Sequence, residues 1–205
     1  MSTRLEKAVG DLESRLGNLA QTSIAAFFAF CGERLLPLYQ AFAQRAGWGD
    51  PSLLRKALDS AWRRLEGESV PRVKRSDLEK ITPHGDDFDS PDSTFAQDSV
   101  ACVDAALVAL SSRWKTAPAV VEFAIEPVQI AVCQKETGFE DLGTGPEAEA
   151  WENAVVDNPK LKDDLALYSS LLNSLESKAE LSKQDISELR ELARNTKWTR
   201  EKLLP

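Results

Sequence analysis

The 205-residue chain carries 25 Lys and Arg against 33 Asp and Glu, a net charge of −8, with 42% apolar residues. That length and apolar content suit a single domain over residues 1–205 with a sizeable core. The acidic balance excludes general nucleic-acid binding, because phosphate affinity comes from clustered Lys and Arg, and it suits solubility or a basic partner.

Helical periodicity dominates from the start. Leu5, Val9, Leu12 and Leu16 form one apolar stripe. Ile24, Phe28, Cys31, Leu35, Leu38 and Phe42 continue the spacing, and Phe27 and Phe30 widen the face, which makes this helix central. Pro37 falls inside it, so a kink or break is expected near Glu33–Pro37. Asp50 is a good N-cap and Pro51 suits the first helical position. Leu54, Leu58, Ala61 and Leu65 face inward, and Gly67 can end the helix in the left-handed conformation.

A short turn of helix is expected around Ser76–Ile81. The next helix runs from Asp92, with Val103, Leu107, Leu110 and Trp114 as its stripe. Residues 118–135 are rich in Val and Ile, which permits strands. No turn signal separates two strands there, so a helix interrupted near Pro127 is preferred. A short helix over 143–155 follows. Leu161, Leu165, Tyr168, Leu172 and Leu175 mark a clear one, and Ser182 with Asp185 opens the last in a capping-box arrangement. The tail from about residue 197 is expected to fray. The fold class is all-α: a compact bundle of about eight helices with no significant sheet.

Cys31, Cys102 and Cys133 are odd in number, widely spaced and set in apolar runs, so they read as reduced, buried thiols. The start lacks the apolar core of a signal peptide. Gly17–Gly32 is too short and too polar to span a membrane. A cytoplasmic protein is expected.

The stretches "ERLLPLYQAFAQRAGWGD", "LLRKALDSAW" and "PHGDDFD" together resemble the YjaG-like bacterial family, a domain of unknown function. The matching positions are Glu33, Arg34, Pro37, Tyr39 and Phe42, then Gly47, Trp48, Gly49 and Asp50, then Arg55, Leu58, Asp59 and Trp62. Pro83, Asp86, Asp87, Phe88 and Asp89 match a second block, and Asp104 and Ala105 a third. The stretch from Asp89 to Asp104 looks longer here than in the family. The resemblance implies an all-helical cytosolic domain. It implies no agreed reaction, cofactor or catalytic residue.

The chemistry-bearing residues are few. "HGDDFDSPD" groups Asp86, Asp87, Asp89 and Asp92 around the chain's single histidine, His84. An EF-hand reading fails on Pro91 at the fifth position and on the missing glycine. Zinc needs three or four His and Cys ligands, which one His and scattered Cys do not supply. Nucleophilic triads, Walker loops and dinucleotide motifs are absent from the sequence. No catalytic residue, metal or cofactor is therefore assigned. Aspartates ahead of a helix can instead cap its N–H groups, with Phe88 plugging the core.

Two functional readings remain. The first is a non-catalytic protein that binds a basic partner, such as a nuclease-like toxin domain, and neutralises it as an immunity protein would. Its face would be Asp86, Asp87, Asp89 and Asp92, with Glu136, Glu140 and Asp141 second. The second is an enzyme or ligand-binding domain with a carboxylate-lined pocket formed by Glu33, Arg34, Asp59 and His84, able to take a divalent metal. The bland reading of Glu33 and Arg34 is a paired buried charge. A homo-oligomer is a third possibility.

Overall fold

The computed structural model of the chain describes residues 4–85, 87–88, 90–111, 120–137 and 153–204, the side chains of 120 and 134–137 aside. The described residues form helices and no strand. The elements are α1 (Arg4–Gly17), α2 (Gln21–Ala46), α3 (Pro51–Leu65), α4 (Arg75–Glu79), α5 (Pro91–Ala109), α6 (Val120–Thr137), α7 (Pro159–Glu176), α8 (Lys183–Asn195) and α9 (Arg200–Leu203). Residues 153–157 add a helical turn just ahead of α7.

α2 is the axis of the molecule. It is apolar on every side, and nearly all of Ser23 to Ala43 is buried, as expected of a helix surrounded by others. α5 packs on it most extensively, followed by α3 and α8. α6 lies on α5, α7 lies on α6, and α1 crosses α7 and α6. Among the described residues no helix is long and apolar enough to cross a membrane.

Local chemistry sets the ends. Asp50 accepts the Leu53 N–H at 2.9 Å and Pro51 opens α3. Asn158 caps α7 in the same way, with Pro159 at its first position. Ser182 and Asp185 cap α8 reciprocally, satisfying donors that the helix leaves unpaired. Ser90 precedes α5 without a side-chain cap, so capping by the neighbouring aspartates is not seen among the described ones.

Both prolines sit inside unbroken helices. α2 continues through Pro37 and α6 through Pro127. The interruption expected near Pro127 does not occur. Around Pro37, the Arg34 carbonyl accepts the Trp198 N–H at 3.0 Å, and the Leu35 carbonyl accepts the Ser99 hydroxyl at 3.0 Å. Donors from distant chain thus serve carbonyls in the turn that proline disturbs.

The tail is not frayed. Leu203 and Leu204 are buried, and Arg200 donates to Asp92 at 3.1 Å.

Tyr39 ties two loops to α2. Its hydroxyl donates to the Ile81 carbonyl at 2.8 Å and accepts the Asp50 N–H at 3.2 Å. Gly49, at φ 92°, lies against it: a Cβ there would stand 2.6 Å from the Tyr39 oxygen. Phe88 plugs the core edge, as the sequence suggests. Its ring meets Phe42 edge-on and Trp48 tilted, both at 5.2 Å.

α2 and α5 approach closely at Gly32, where a Cβ would stand 2.9 Å from Val103 Cγ2. Gly32→Ala gains up to about 1 kcal/mol of helix propensity. Overpacking against a stiff β-branched side chain costs about 1–3 kcal/mol. We expect a net loss of stability in urea titrations, and unchanged or raised stability would mean that α5 can move away freely.

Candidate functional site

The sequence groups Glu33, Arg34, Asp59 and His84 as one pocket. The structure divides them. Glu33, on α2, is 5% exposed, and donors surround both its oxygens. Arg55 clasps it with two bonds of 2.8 and 2.9 Å. Trp62 Nε1 donates at 3.0 Å and Arg194 Nε at 3.0 Å, while Arg190 Nε stands 3.7 Å away. Burial alone would raise the Glu33 carboxyl, yet Arg55, Arg194 and Arg190 together hold it below the usual range. Asp59 shares Arg55, at 2.8 Å, and also pairs with Arg190. The group is an ionic strut between α2, α3 and α8, in which Arg55 Nε and Arg190 Nε are left without hydrogen-bond partners.

Arg34 points elsewhere. It bonds Asp164 at 2.5 Å, the Tyr168 hydroxyl at 2.6 Å and the Thr196 carbonyl at 3.1 Å. The rings of Phe30, Tyr168 and Trp198 lie within 5.2–5.9 Å of its guanidinium. Burial opposes the charge, but Tyr168 and Asp164 hold it on, so Arg34 stays ionised. His84 is exposed on its loop, with its carbonyl accepting the Asp87 and Phe88 N–H groups.

Of the acidic face, the described side chains are those of Asp87 and Asp92. Asp87 is exposed. Asp92, 6% exposed, turns inward and is matched by Arg45 at 2.5 Å and Arg200 at 3.1 Å. A carboxylate so enclosed does not present charge to a partner. Asp86, Asp89, Glu140, Asp141 and the Glu136 side chain lie outside the described residues.

A different carboxylate group lines a cavity of about 350 Å³ between α4, α5 and α6. Glu79 comes from α4, Asp98 and Asp104 from α5, and Phe123 and Glu126 from α6. Asp98 is 1% exposed, and its Oδ2 has no hydrogen-bond partner. Burial, then the charge and hydrogen bond of Glu126, push its carboxyl up to about 9. Burial raises Glu126 too, with Glu122 adding to it. Two carboxyl groups so placed do not both ionise readily.

Asp104 is raised by burial, against the pull of Arg75, which reaches it at 3.2 Å. Below the pair, Cys102 and Cys31 are fully buried thiols in contact.

Sequence reasoning passed over Asp98 and Glu126 as a pair. The available signal was Asp98 in phase with the buried Phe95, Cys102 and Ala105 of an apolar helix. Glu126 stands beside Pro127 in a second apolar helix.

These features define a class: an all-helical domain built round a buried axial helix, with paired internal charges and an acid-lined cavity. The chain belongs to the family described as "Protein of unknown function (DUF416)", whose family model matches residues 11–199. It is 36% identical over 78 residues to the uncharacterized protein YjaG of Escherichia coli (strain K12), a stretch covering 37% of this chain. The match spans only 40% of that relative's own length. The fold is shared with a DUF416 family protein from Shewanella baltica OS155, known from a crystal structure at 1.91 Å. The TM-score is 0.71 at 23% identity, over 91% of this chain and 95% of that one.

Glu33→Gln leaves three guanidinium groups around a neutral amide. We expect a loss of about 3–5 kcal/mol in urea unfolding, against about 0.5 kcal/mol or less for the exposed Asp87→Asn. Equal effects would remove the strut.

Asp98→Asn behaves oppositely. The raised Asp98 carboxyl means the folded protein keeps a proton that the unfolded chain releases between about pH 4 and 9. Stability from this group is full at low pH and falls as pH rises. The substituted amide does not titrate, so the variant should gain on the wild type as pH rises, by up to about 1.4 kcal/mol per pH unit. A melting-temperature difference flat between about pH 5 and 8 would contradict this.

Proposed function

We propose that the chain is a non-catalytic binding protein that takes a positively charged group into the acid-lined cavity between α4, α5 and α6. The observation that carries this is Asp98 Oδ2: a carboxylate oxygen in the cavity wall, buried and without a donor. Buried polar atoms normally have partners, and each exception calls for an explanation. Glu79, Asp104 and Glu126 surround the same space, with Arg75 as the opposing charge. That balance favours cations.

Two neutral polar groups of the wall are already engaged. Thr82 Oγ1 donates to the Leu78 carbonyl, and Gln97 Nε2 donates to the Pro83 carbonyl. They offer positioning rather than a nucleophile. Among the described residues no group of three or more His, Cys, Asp or Glu is placed to hold a metal ion, so the acid pair suits an organic cation better than a divalent one.

The test is thermal unfolding with n-butylammonium, guanidinium or Mn²⁺, with acetate as the anion control. A ligand of the native state raises the melting temperature by mass action. Butylammonium should do so, less at high salt, and the shift should vanish in the Asp98→Asn/Glu126→Gln double variant. No shift with any cation would end this reading.

A second reading keeps the protein-partner function, in which a basic protein such as a nuclease-like toxin domain is bound and neutralised. It is favoured by the exposed Asp87, which borders a cavity of about 360 Å³ with Phe42, Phe88 and the Asp92-paired Arg45. A basic side chain could meet a carboxylate and an aromatic face there. Binding of a basic protein encoded beside this one, measured at two salt concentrations, should slow several-fold in association for Asp87→Asn. Unchanged rates would exclude the loop.

A further inference from the structure

Resting on the cation-pocket reading, we propose that the cavity takes an alkylammonium group, which binds by replacing the proton shared between Asp98 and Glu126. The two carboxyl groups are within hydrogen-bonding reach of each other, and such a contact exists only while one of them holds a proton. With the proton present, the pair carries one negative charge. An entering ammonium supplies the positive charge instead, both carboxylates ionise, and the proton leaves to solvent. Charge in the cavity wall is the same before and after.

Geometry selects the kind of cation. Asp98 and Glu126 belong to different helices, so the cavity presents two separate carboxyl groups. A guanidinium prefers the two oxygens of one carboxylate, edge-on. An ammonium is a compact point charge with three donors and can bridge two separate carboxylates. Phe123 in the wall gives the methylene tail an apolar and aromatic surface. The same ammonium is presented by a free amine and by a lysine side chain.

The groups that set the pH response come from every adjoining element. α5 contributes Asp98, Asp104 and Cys102, and α6 contributes Glu126 and Glu122. α4 adds Arg75 and Glu79, α2 adds Cys31, and Glu13 of α1 faces Glu122. Arg75, partnered with Asp104 at the exposed mouth, is the cation that a bound ligand must share space with.

The experiment is titration calorimetry of n-butylammonium, and separately of an acetylated lysine amide, in buffers of differing ionisation enthalpy. The expected result is release of about one proton per ligand bound near neutral pH, with affinity rising about tenfold per pH unit. Asp98→Asn should bind more weakly, release no proton and lose the pH dependence. Release with butylammonium assigns a free amine, and release with the lysine derivative alone assigns a protein side chain; both support the exchange. Binding with no proton release, or with affinity flat in pH, overturns the exchange and leaves the cation pocket standing. No binding of any cation removes both.

Discussion

Glu33 is the point on which the arrangement of α2, α3 and α8 turns. Its carboxylate lies in an otherwise apolar helix and is reached by Arg55 and Trp62 from α3 and by Arg194 from α8. Taking a charge out of water is costly, and an apolar pair of similar volume often stabilises as well or better. What the carboxylate adds is direction: donors on two other helices must arrive at the right height and rotation. Arg34 does the converse one residue on. Consecutive helical residues point about 100° apart, so Arg34 reaches a different sector and gathers Asp164 and Tyr168 of α7 with the chain at Thr196. An acid and a base in sequence thus organise two sides of one axial helix.

Much of this architecture was legible in the spacing of apolar residues. α1, α3, α7 and α8 follow their stripes and caps closely because those signals are local. Other features have distant causes. The effect of Pro37 depends on donors from Ser99 and Trp198. Asp92 reads as surface acid beside other acids, yet Arg45 and Arg200 enclose it. The tail reads as frayed because two leucines at a chain end carry no period, although they are buried.

The residues that carry the family resemblance are those that hold the fold. Glu33, Arg55, Asp59 and Trp62 belong to the strut. Tyr39, Gly49 and Asp50 make one loop junction, and Phe88 a second. A resemblance resting on them conveys architecture, and the fold shared with the Shewanella protein agrees with that. The Asp98 and Glu126 pair lies outside those blocks. Its members come from two helices whose pairing no local pattern announces.

Two of the buried acids, Glu33 and Asp98, differ in how their oxygens are satisfied. Both lie in central helices and both are almost wholly removed from solvent. Glu33 has donors on both oxygens and is held ionised. Asp98 faces another acid, keeps one oxygen without a partner, and lies over buried thiols in a medium that resists charge. Its burial weakens the fold as pH rises, and no strut depends on it. A neutral residue of the same shape would serve packing better at every pH above the unfolded value. Groups that oppose stability without bracing anything are the expected mark of a functional position, and this one opens on a cavity whose other acids leave it suited to positive charge.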